Sequence, residues 1–133
     1  MVNDRIGDTI TRMYNASVRG KKEIEVLYSM EVVRLLEVLK RTEFIEDFRI
    51  EKDEDSSFSK IIVVLKYDSL KKPKITNVRR ISKPGCRIYH RHSQVKKVLQ
   101  GYGIGVYSTS IGVLSDKEAY QKGVGGEYWC EIF

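Results

Sequence analysis

The sequence predicts an α+β protein of two small lobes: a helix–strand–helix–strand–strand lobe over residues 1–72, and a mostly β lobe with a short helix over residues 73–133. Two early segments place apolar residues at the spacing of a helix face, whereas most other segments alternate apolar and polar residues as strands do. Between the lobes lies the polar segment SLKKPK, in which Pro73 marks a break in composition. A length of 133 residues suits one domain or two such lobes.

The first lobe is expected to open with an amphipathic helix. Its apolar positions fall at i, i+4, i+7 and i+8, which lie on one helix face, and they are Ile6, Ile10, Met13 and Tyr14. Asn3 or Asp4 can cap the first turn of this helix. Gly20 is expected to end it.

The remainder of the first lobe is predicted to be a strand, a helix and a hairpin. KEIEVLY alternates as a short strand, and Ser29 can cap a second helix over Met30 to Thr42. FIEDFRIEK and FSKIIVVLKY are two strands joined by the polar turn DEDSS, which together predict a β-hairpin.

The second lobe is predicted to begin with two strands, ITNVRRI and CRIYHR. Between them, Lys83–Gly85 places proline and glycine where a type II turn needs them. A short helix over Gln94 to Leu99 is expected to follow the second of these strands.

The end of the second lobe is predicted to be strand, turn, strand, helix and strand. A turn at Ile111–Gly112 is expected to connect the strand IGVYSTS to VLS. Ser115 and Glu118 have the spacing of a capping box, which predicts a short helix that stops at Gly123. GGEYWCEIF then closes the chain as an apolar-rich strand.

The net charge of +6 is confined to the second part of the chain. Residues 73–133 contain ten Lys or Arg and four Asp or Glu, whereas the two signs balance over residues 1–72. Between Asp68 and Asp116 there is no acidic residue but ten basic ones: Lys71, Lys72, Lys74, Arg79, Arg80, Lys83, Arg87, Arg91, Lys96 and Lys97. A field of one sign over such a length favours a polyanion as partner, and a solvated basic face is the alternative.

Other features argue against several classes of protein. No apolar run approaches the roughly 20 residues of a membrane helix, and MVNDRIGD lacks the pattern of a secretory signal, so we expect a protein that stays inside the cell. Cys86 and Cys130 lack metal-ligand spacing and are expected to be buried thiols in a reducing compartment.

Catalytic and cofactor sites are also not expected. His90 and His92 could hold half a metal site, but the arginines beside them favour histidines on a basic surface. GYGIG lacks the spacing of a nucleotide-binding loop, and no nucleophile elbow or partnered acid accompanies the serines. We therefore expect no enzyme activity, no cofactor and no small-molecule substrate.

Ser108, Thr109 and Ser110, the hydroxyl trio, stand in a row at the end of a predicted strand. A strand whose side chains only pack in a core does not require three consecutive hydroxyl groups. Hydroxyls both donate and accept hydrogen bonds, which suits the shallow groove of an RNA helix, where ribose hydroxyls and base edges are exposed. We therefore expect the trio to face outward toward RNA.

Charged and aromatic residues elsewhere in the second lobe fit the same interpretation. Tyr89, between Arg87 and Arg91, offers an aromatic plane for an unstacked base. Lys83, Arg87 and Arg91 are candidate phosphate contacts. Glu127 is expected either to form a salt bridge to a basic neighbour or to accept a hydrogen bond from a ribose hydroxyl or a base amine.

Five segments in order carry a family resemblance: DRIGDTITRMYNA, FIEDFRIE, RRISKPGCRIY, GIGVYSTSIGVLSDKEA and GVGGEYWCEIF. Together they resemble the family of the eighth protein of the bacterial-type small ribosomal subunit, over nearly the whole chain. The resemblance implies a two-lobed α+β protein that binds the central domain of small-subunit ribosomal RNA early in assembly.

The resemblance also implies roles for particular residues. The hydroxyl trio, with Tyr89 and Glu127, would form the contact of the C-terminal lobe to an irregular RNA helix. Thr11, Arg12 and Asn15 on the first helix would touch a second stretch of RNA. The fifth and twelfth small-subunit proteins would lie beside this one.

A second hypothesis is an RNA-binding translational repressor that acts on its own messenger. It would use the same surface, because bacterial members of the family bind a messenger that mimics the ribosomal site. The compartment is expected to be a bacterial cytoplasm, where the protein is bound to ribosomes, or alternatively an organelle with a bacterial-type ribosome.

Overall fold

The structure, a computed structural model, describes residues 4–52, 59–95 and 103–133. The chain divides into two compact units, Met1–Thr76 (unit 1) and Asn77–Phe133 (unit 2). In their described parts, unit 1 combines two helices with a three-stranded sheet, and unit 2 is mostly β with one short α-helix. The predicted α+β fold class is confirmed.

The two helices of unit 1 are α1, Arg5–Val18, and α2, Met30–Arg41. Asp4 caps α1 by accepting from the Gly7 N–H at 3.1 Å. Gly20 ends the helix as predicted, because it takes a φ of 72° that other residues rarely adopt. Both helices bury one apolar stripe almost completely: Ile6, Ile10, Met13, Val32, Leu35, Leu36 and Leu39.

The sheet of unit 1 contains β1 Glu23–Leu27, β2 Ile45–Lys52 and β3 Ser59–Leu65. All pairings are antiparallel, and the order is β1-β3-β2. The pairing of β2 with β3 confirms the predicted hairpin, while its turn, DEDSS, lies outside the described residues. Ser29 stands at the start of α2 as expected, but its side chain makes no capping hydrogen bond.

Unit 2 contains five strands in its described part: β4 Val78–Arg80, β5 Tyr89–His90, β6 Ile104–Thr109, β7 Gly112–Ser115 and β8 Gly126–Ile132. Their order is β4-β8-β6-β7, and β5 also pairs with β8. A β-bulge lies at Trp129, since Val106 is opposite Cys130 but Tyr107 is opposite Tyr128. The short helix α3, Asp116–Lys122, connects β7 to β8.

The capping box that predicts α3 is present in the structure. Ser115 accepts from the Glu118 N–H, and Glu118 accepts from the Ser115 N–H, both at 3.3 Å. Gly123 ends the helix in the left-handed conformation, with a φ of 69°. The turn before β7 lies one residue earlier than predicted, because Thr109 pairs with Gly112 and leaves Ser110 and Ile111 as the loop.

The predicted turn at Lys83–Gly85 occurs at that place but is not type II. The Lys83 N–H donates to the Cys86 carbonyl at 3.0 Å, and the Cys86 N–H donates to the Lys83 carbonyl at 2.9 Å. A type II turn requires a positive φ at its third residue, and Gly85 does not have one. CRIYHR forms a strand only over Tyr89–His90. A 3₁₀ turn at His92–Gln94 follows, and most of the helix predicted over 94–99 lies outside the described residues.

A tyrosine pair lies in the core of unit 2. Tyr107 and Tyr128 stack with their ring centroids 4.4 Å apart and their planes inclined by 9°. Val95, Leu114 and Ala119 complete this cluster of buried residues. Gly105 makes room for Tyr128, because a Cβ at this position would lie 3.0 Å from the tyrosine ring.

Burial of this pair predicts a loss of stability at alkaline pH. Burial raises the pKa of both tyrosine hydroxyls above the usual 10.0, and Glu131 adds to the effect on Tyr128. Above about pH 10 the unfolded chain therefore releases protons that the folded chain keeps. The stabilisation is complete below that pH and is lost as the pH rises. Between pH 9 and 11 we expect the free energy of unfolding to fall by about 1.4 kcal/mol in total for each tyrosine, measured by urea titration.

Tyr107→Phe should remove about half of this decrease, because it leaves Tyr128 as the one tyrosine of the buried pair. A free energy of unfolding that stays flat above pH 10 would contradict the assignment.

Candidate nucleic-acid interface

Three predicted site residues share one cross-strand row of the unit 2 sheet. Ser108 on β6 pairs with Val113 on one side and with Glu127 on the other, and Glu127 pairs with Tyr89 on β5. Residues directly opposite each other in an antiparallel sheet point to the same face. Ser108, Glu127 and Tyr89 therefore stand side by side, although they are far apart in sequence.

Exposure differs along this row. The Tyr89 side chain is 66% exposed, so its ring is open to solvent. Ser108 is half-buried, and Ser110 is exposed in the loop between β6 and β7. In the part of the chain that the structure describes, the hydroxyls of Ser108 and Ser110 have no hydrogen-bond partner. Both hydroxyls are thus available to an external group.

Thr109 differs from its neighbours in the hydroxyl trio. Its Oγ1 donates to the Gly112 carbonyl at 2.6 Å and accepts from the Ile111 N–H at 3.3 Å. These bonds close the two-residue loop, as threonine hydroxyls commonly do in turns. The Thr109 hydroxyl therefore donates within its own loop, unlike those of its two neighbours, and its contact to RNA stays a prediction.

Glu127 is held on one oxygen by two donors. Its Oε1 accepts from the Trp129 indole Nε1 at 2.9 Å and from the Arg87 guanidinium Nη1 at 3.3 Å. The salt-bridge interpretation of Glu127 thus matches the geometry. The Glu127 side chain is 16% exposed and that of Arg87 is 47% exposed, so the carboxylate fixes an arginine that still reaches solvent.

A buried serine anchors the loop that carries Lys83 and Arg87. Ser82 is fully buried, and its Oγ accepts from the Ile88 N–H at 3.0 Å. This bond closes the loop at its base, and the two backbone bonds between Lys83 and Cys86 close it near its tip. The loop therefore presents Lys83 and Arg87 from a defined backbone.

Two glycines allow the strands around the row to approach closely. A Cβ on Gly126 would lie 2.1 Å from the Ser108 carbonyl oxygen, and one on Gly125 would lie 2.2 Å from that of His90. Neither these glycines nor Ser82 and Trp129 were predicted from the sequence to belong to the site. The Gly-Gly pair at the start of the last strand was the available signal.

The chain is similar to known proteins over its whole length. The family model for ribosomal protein S8 matches residues 4–133. The chain belongs to the ribosomal protein S8 family. Three relatives are each named "Small ribosomal subunit protein uS8": from Helicobacter pylori strain Shi470 at 44% identity, Helicobacter acinonychis strain Sheeba at 45%, and a Nitratiruptor species at 43%. Each match covers 100% of both chains. The family predicted from the resemblance is confirmed.

In this S8 family member the two neighbouring histidines bond to different groups. His90 Nδ1 lies 3.2 Å from the Tyr107 hydroxyl and its ring packs against Tyr128, whereas His92 Nε2 lies 3.1 Å from the Tyr120 carbonyl oxygen. The surface assignment is thus wrong for His90, because it packs against two core tyrosines. Within residues 4–52, 59–95 and 103–133, no three potential ligands are grouped to hold a metal ion.

The two cysteines of this family member differ in exposure. Cys130 is buried as expected, but Cys86 is exposed because it ends the turn that begins at Lys83. Arg91, a further candidate phosphate contact, is exposed at the start of the 3₁₀ turn. Among the described residues, no helix is long and apolar enough to cross a membrane.

The predicted contacts of the first helix lie in unit 1. Thr11, Arg12 and Asn15 are all exposed on α1. Arg12 pairs with Asp8 one turn earlier, at 2.9 Å, so part of its charge is already balanced.

Proposed function

We propose that this S8 family member is a structural constituent of the small ribosomal subunit that binds the central domain of its ribosomal RNA and helps the subunit assemble. The names of the curated relatives support assembly into the small subunit. The basic second half of the sequence supports a polyanion as direct partner. The protein acts as a structural component and not as an enzyme.

The cross-strand row supports this proposal most directly. Tyr89 offers a ring for a base, Ser108 and Ser110 offer free hydroxyls to ribose or base edges, and Arg87 is held beside them by Glu127. This combination suits RNA recognition by shape and hydroxyl contacts. A purely structural sheet face has no need of an exposed aromatic ring beside two hydroxyls without partners among the described residues.

The distribution of ion pairs indicates which cations are available to phosphates. Arg79 pairs with Glu131 at 3.2 Å and Arg87 pairs with Glu127 at 3.3 Å. In the described part of the chain, Lys83 and Arg91 have no carboxylate partner. We therefore propose that Lys83 and Arg91 contact RNA phosphates directly. Arg87 contacts RNA next to Tyr89, where Glu127 holds its guanidinium in place.

Further partners follow from the same proposal. Thr11, Arg12 and Asn15 would bind a second stretch of RNA, and the fifth and twelfth small-subunit proteins would be neighbours. The protein would be ribosome-bound in a bacterial cytoplasm. Co-sedimentation with small subunits tests this directly, because a free pool without a subunit-bound fraction favours a repressor of messenger translation instead.

Replacing Ser110 with alanine should weaken RNA binding about five- to tenfold, since one hydrogen bond contributes on the order of 1 kcal/mol. The fold should be unaffected, because this hydroxyl has no partner among the described residues of the protein. Filter binding to small-subunit ribosomal RNA measures the effect, with Ser93→Ala, another exposed serine of unit 2, as matched control. Equal affinities for both variants would refute the role of Ser110.

Replacing Lys83 with glutamine should instead change the salt dependence of binding. Each phosphate contact on a duplex contributes about 0.9 to the slope of log affinity against log salt, so the slope should fall by about that amount. Arg87→Gln should act in the same direction. The control is Lys122→Gln, which removes the same charge at an exposed position of α3, outside the cross-strand row. If Lys83→Gln changes the slope no more than this control, Lys83 contacts no phosphate.

A further inference from the structure

A groove of about 550 Å³ lies in unit 1, between the second half of α1 and β1. Its polar side is formed by Arg12, Asn15, Arg19 and Lys21, all of which are exposed. Its apolar lining comes from three residues with little or partial exposure: Ala16, Ile24 and Ile62. Volumes of this size accommodate small organic groups.

The charges around the groove do not cancel. Glu23 and Glu25 also line it, but each is paired with a cation from a neighbouring strand, Arg49 at 3.3 Å and Lys60 at 3.2 Å. Arg12 is similarly paired with Asp8 at 2.9 Å. Arg19 and Lys21 have no carboxylate partner among the described residues. The groove therefore keeps two uncompensated positive charges beside an apolar surface.

We propose that this groove binds one unstacked nucleotide of a single-stranded RNA segment. The inference rests on the proposed RNA-binding function and adds to it a ligand class and two residues, Arg19 and Lys21. The apolar lining offers a surface for the face of a base, and the Asn15 carboxamide can both donate and accept at a base edge. Arg19 and Lys21 then lie where the flanking phosphates enter.

A duplex does not satisfy this arrangement, because its bases are stacked and only their edges are accessible. A free inorganic anion would use the two cations but leave the apolar lining of Ala16 and Ile24 without a contact. An acidic protein segment is the remaining alternative, and the crosslinking experiment distinguishes it from RNA.

The full-length protein, bound to small-subunit ribosomal RNA that contains 4-thiouridine, is irradiated and its crosslinked peptides are mapped. We expect crosslinks within residues 12–24, in addition to those at the unit 2 row. Crosslinks in unit 2 alone would overturn the groove assignment and the RNA contact proposed for the first helix, but would leave ribosomal RNA binding by unit 2 intact. Absence of crosslinks from both units would overturn both. In assembled subunits, an amine-reactive crosslink from Lys21 to a neighbouring protein, together with no 4-thiouridine crosslink within residues 12–24, would favour the acidic segment and refute the proposal.

Charge removal gives an independent measurement. With a fluorescein-labelled 12-nucleotide single-stranded RNA, Arg19→Gln combined with Lys21→Gln should lower the salt slope by about 1.4, since each contact to a single strand contributes about 0.7. The control, Arg34→Gln with Lys52→Gln, removes the same charge at exposed positions outside the groove lining. Equal slopes for the two double variants would refute the inference.

Asn15→Ala tests the base-edge contact separately from charge. It should weaken binding of the same RNA about fivefold without altering the salt slope, because one neutral hydrogen bond is lost. An unchanged affinity would exclude the Asn15 carboxamide from the contact and refute the assignment of the base to this groove.

Discussion

Replacing Gly126 with alanine should destabilise unit 2 by about 1–3 kcal/mol and weaken RNA binding beyond what the loss of fold explains. The added Cβ would lie 2.1 Å from the Ser108 carbonyl oxygen and 3.1 Å from the Thr109 Cα. Both neighbours are backbone atoms and cannot rotate away as a flexible side chain would. Relief of the clash must therefore move β6 against β8, and the Ser108–Glu127 pairing moves with it.

Tryptophan fluorescence in urea measures this effect selectively, because the single tryptophan of the chain, Trp129, lies in unit 2. Gly85→Ala is the matched control, since nothing lies within 4 Å of its added Cβ and its φ is not positive. The control should change stability by less than about 1 kcal/mol. If the two variants unfold at the same urea concentration, the close approach at Gly126 does not constrain the sheet.

Replacing Tyr107 with alanine should have the largest effect on stability, about 3–5 kcal/mol, as for other buried aromatic residues. The side chain is 1% exposed and stacks on Tyr128 at 4.4 Å. Its removal leaves a cavity beside Tyr128 in the core of unit 2. Urea titration, followed again through Trp129, is the measurement.

Tyr107→Phe separates packing from hydrogen bonding. It keeps the ring but removes the hydroxyl that lies 3.2 Å from His90 Nδ1, so it should cost only about 1 kcal/mol. If the phenylalanine variant is as unstable as the alanine variant, the hydroxyl contact and not the ring stack supports this part of the core.

Local signals predicted the helices and most strands correctly. The helix ends at Gly20 and Gly123 and the capping box at Ser115 depend on residues within a few positions of each other, so the sequence alone is sufficient to locate them. The same holds for the hairpin of β2 and β3. Errors occurred where one backbone angle decides the outcome, as at Gly85, where the φ that defines a type II turn is not positive.

The candidate site could be predicted only in part. Its residue types were indicated by the sequence, but the row of Tyr89, Ser108 and Glu127 depends on strand register, which residue spacing does not reveal. The register between β6 and β8 also shifts at the bulge, and no local pattern marks Trp129 as the extra residue. The loop bonds of Thr109 could not be predicted, because a hydroxyl in a turn can bond to the backbone of its own loop or to a ligand, and sequence does not distinguish the two.

The two thiols differ in exposure, so one of them can be labelled selectively to observe RNA binding at the proposed interface. Cys130 is fully buried, whereas Cys86 is exposed at the end of the loop that carries Lys83 and Arg87. A maleimide dye should therefore attach to the unmodified protein at a single position. Because that position adjoins the candidate phosphate contacts, the dye would report docking of RNA in real time without any engineered cysteine.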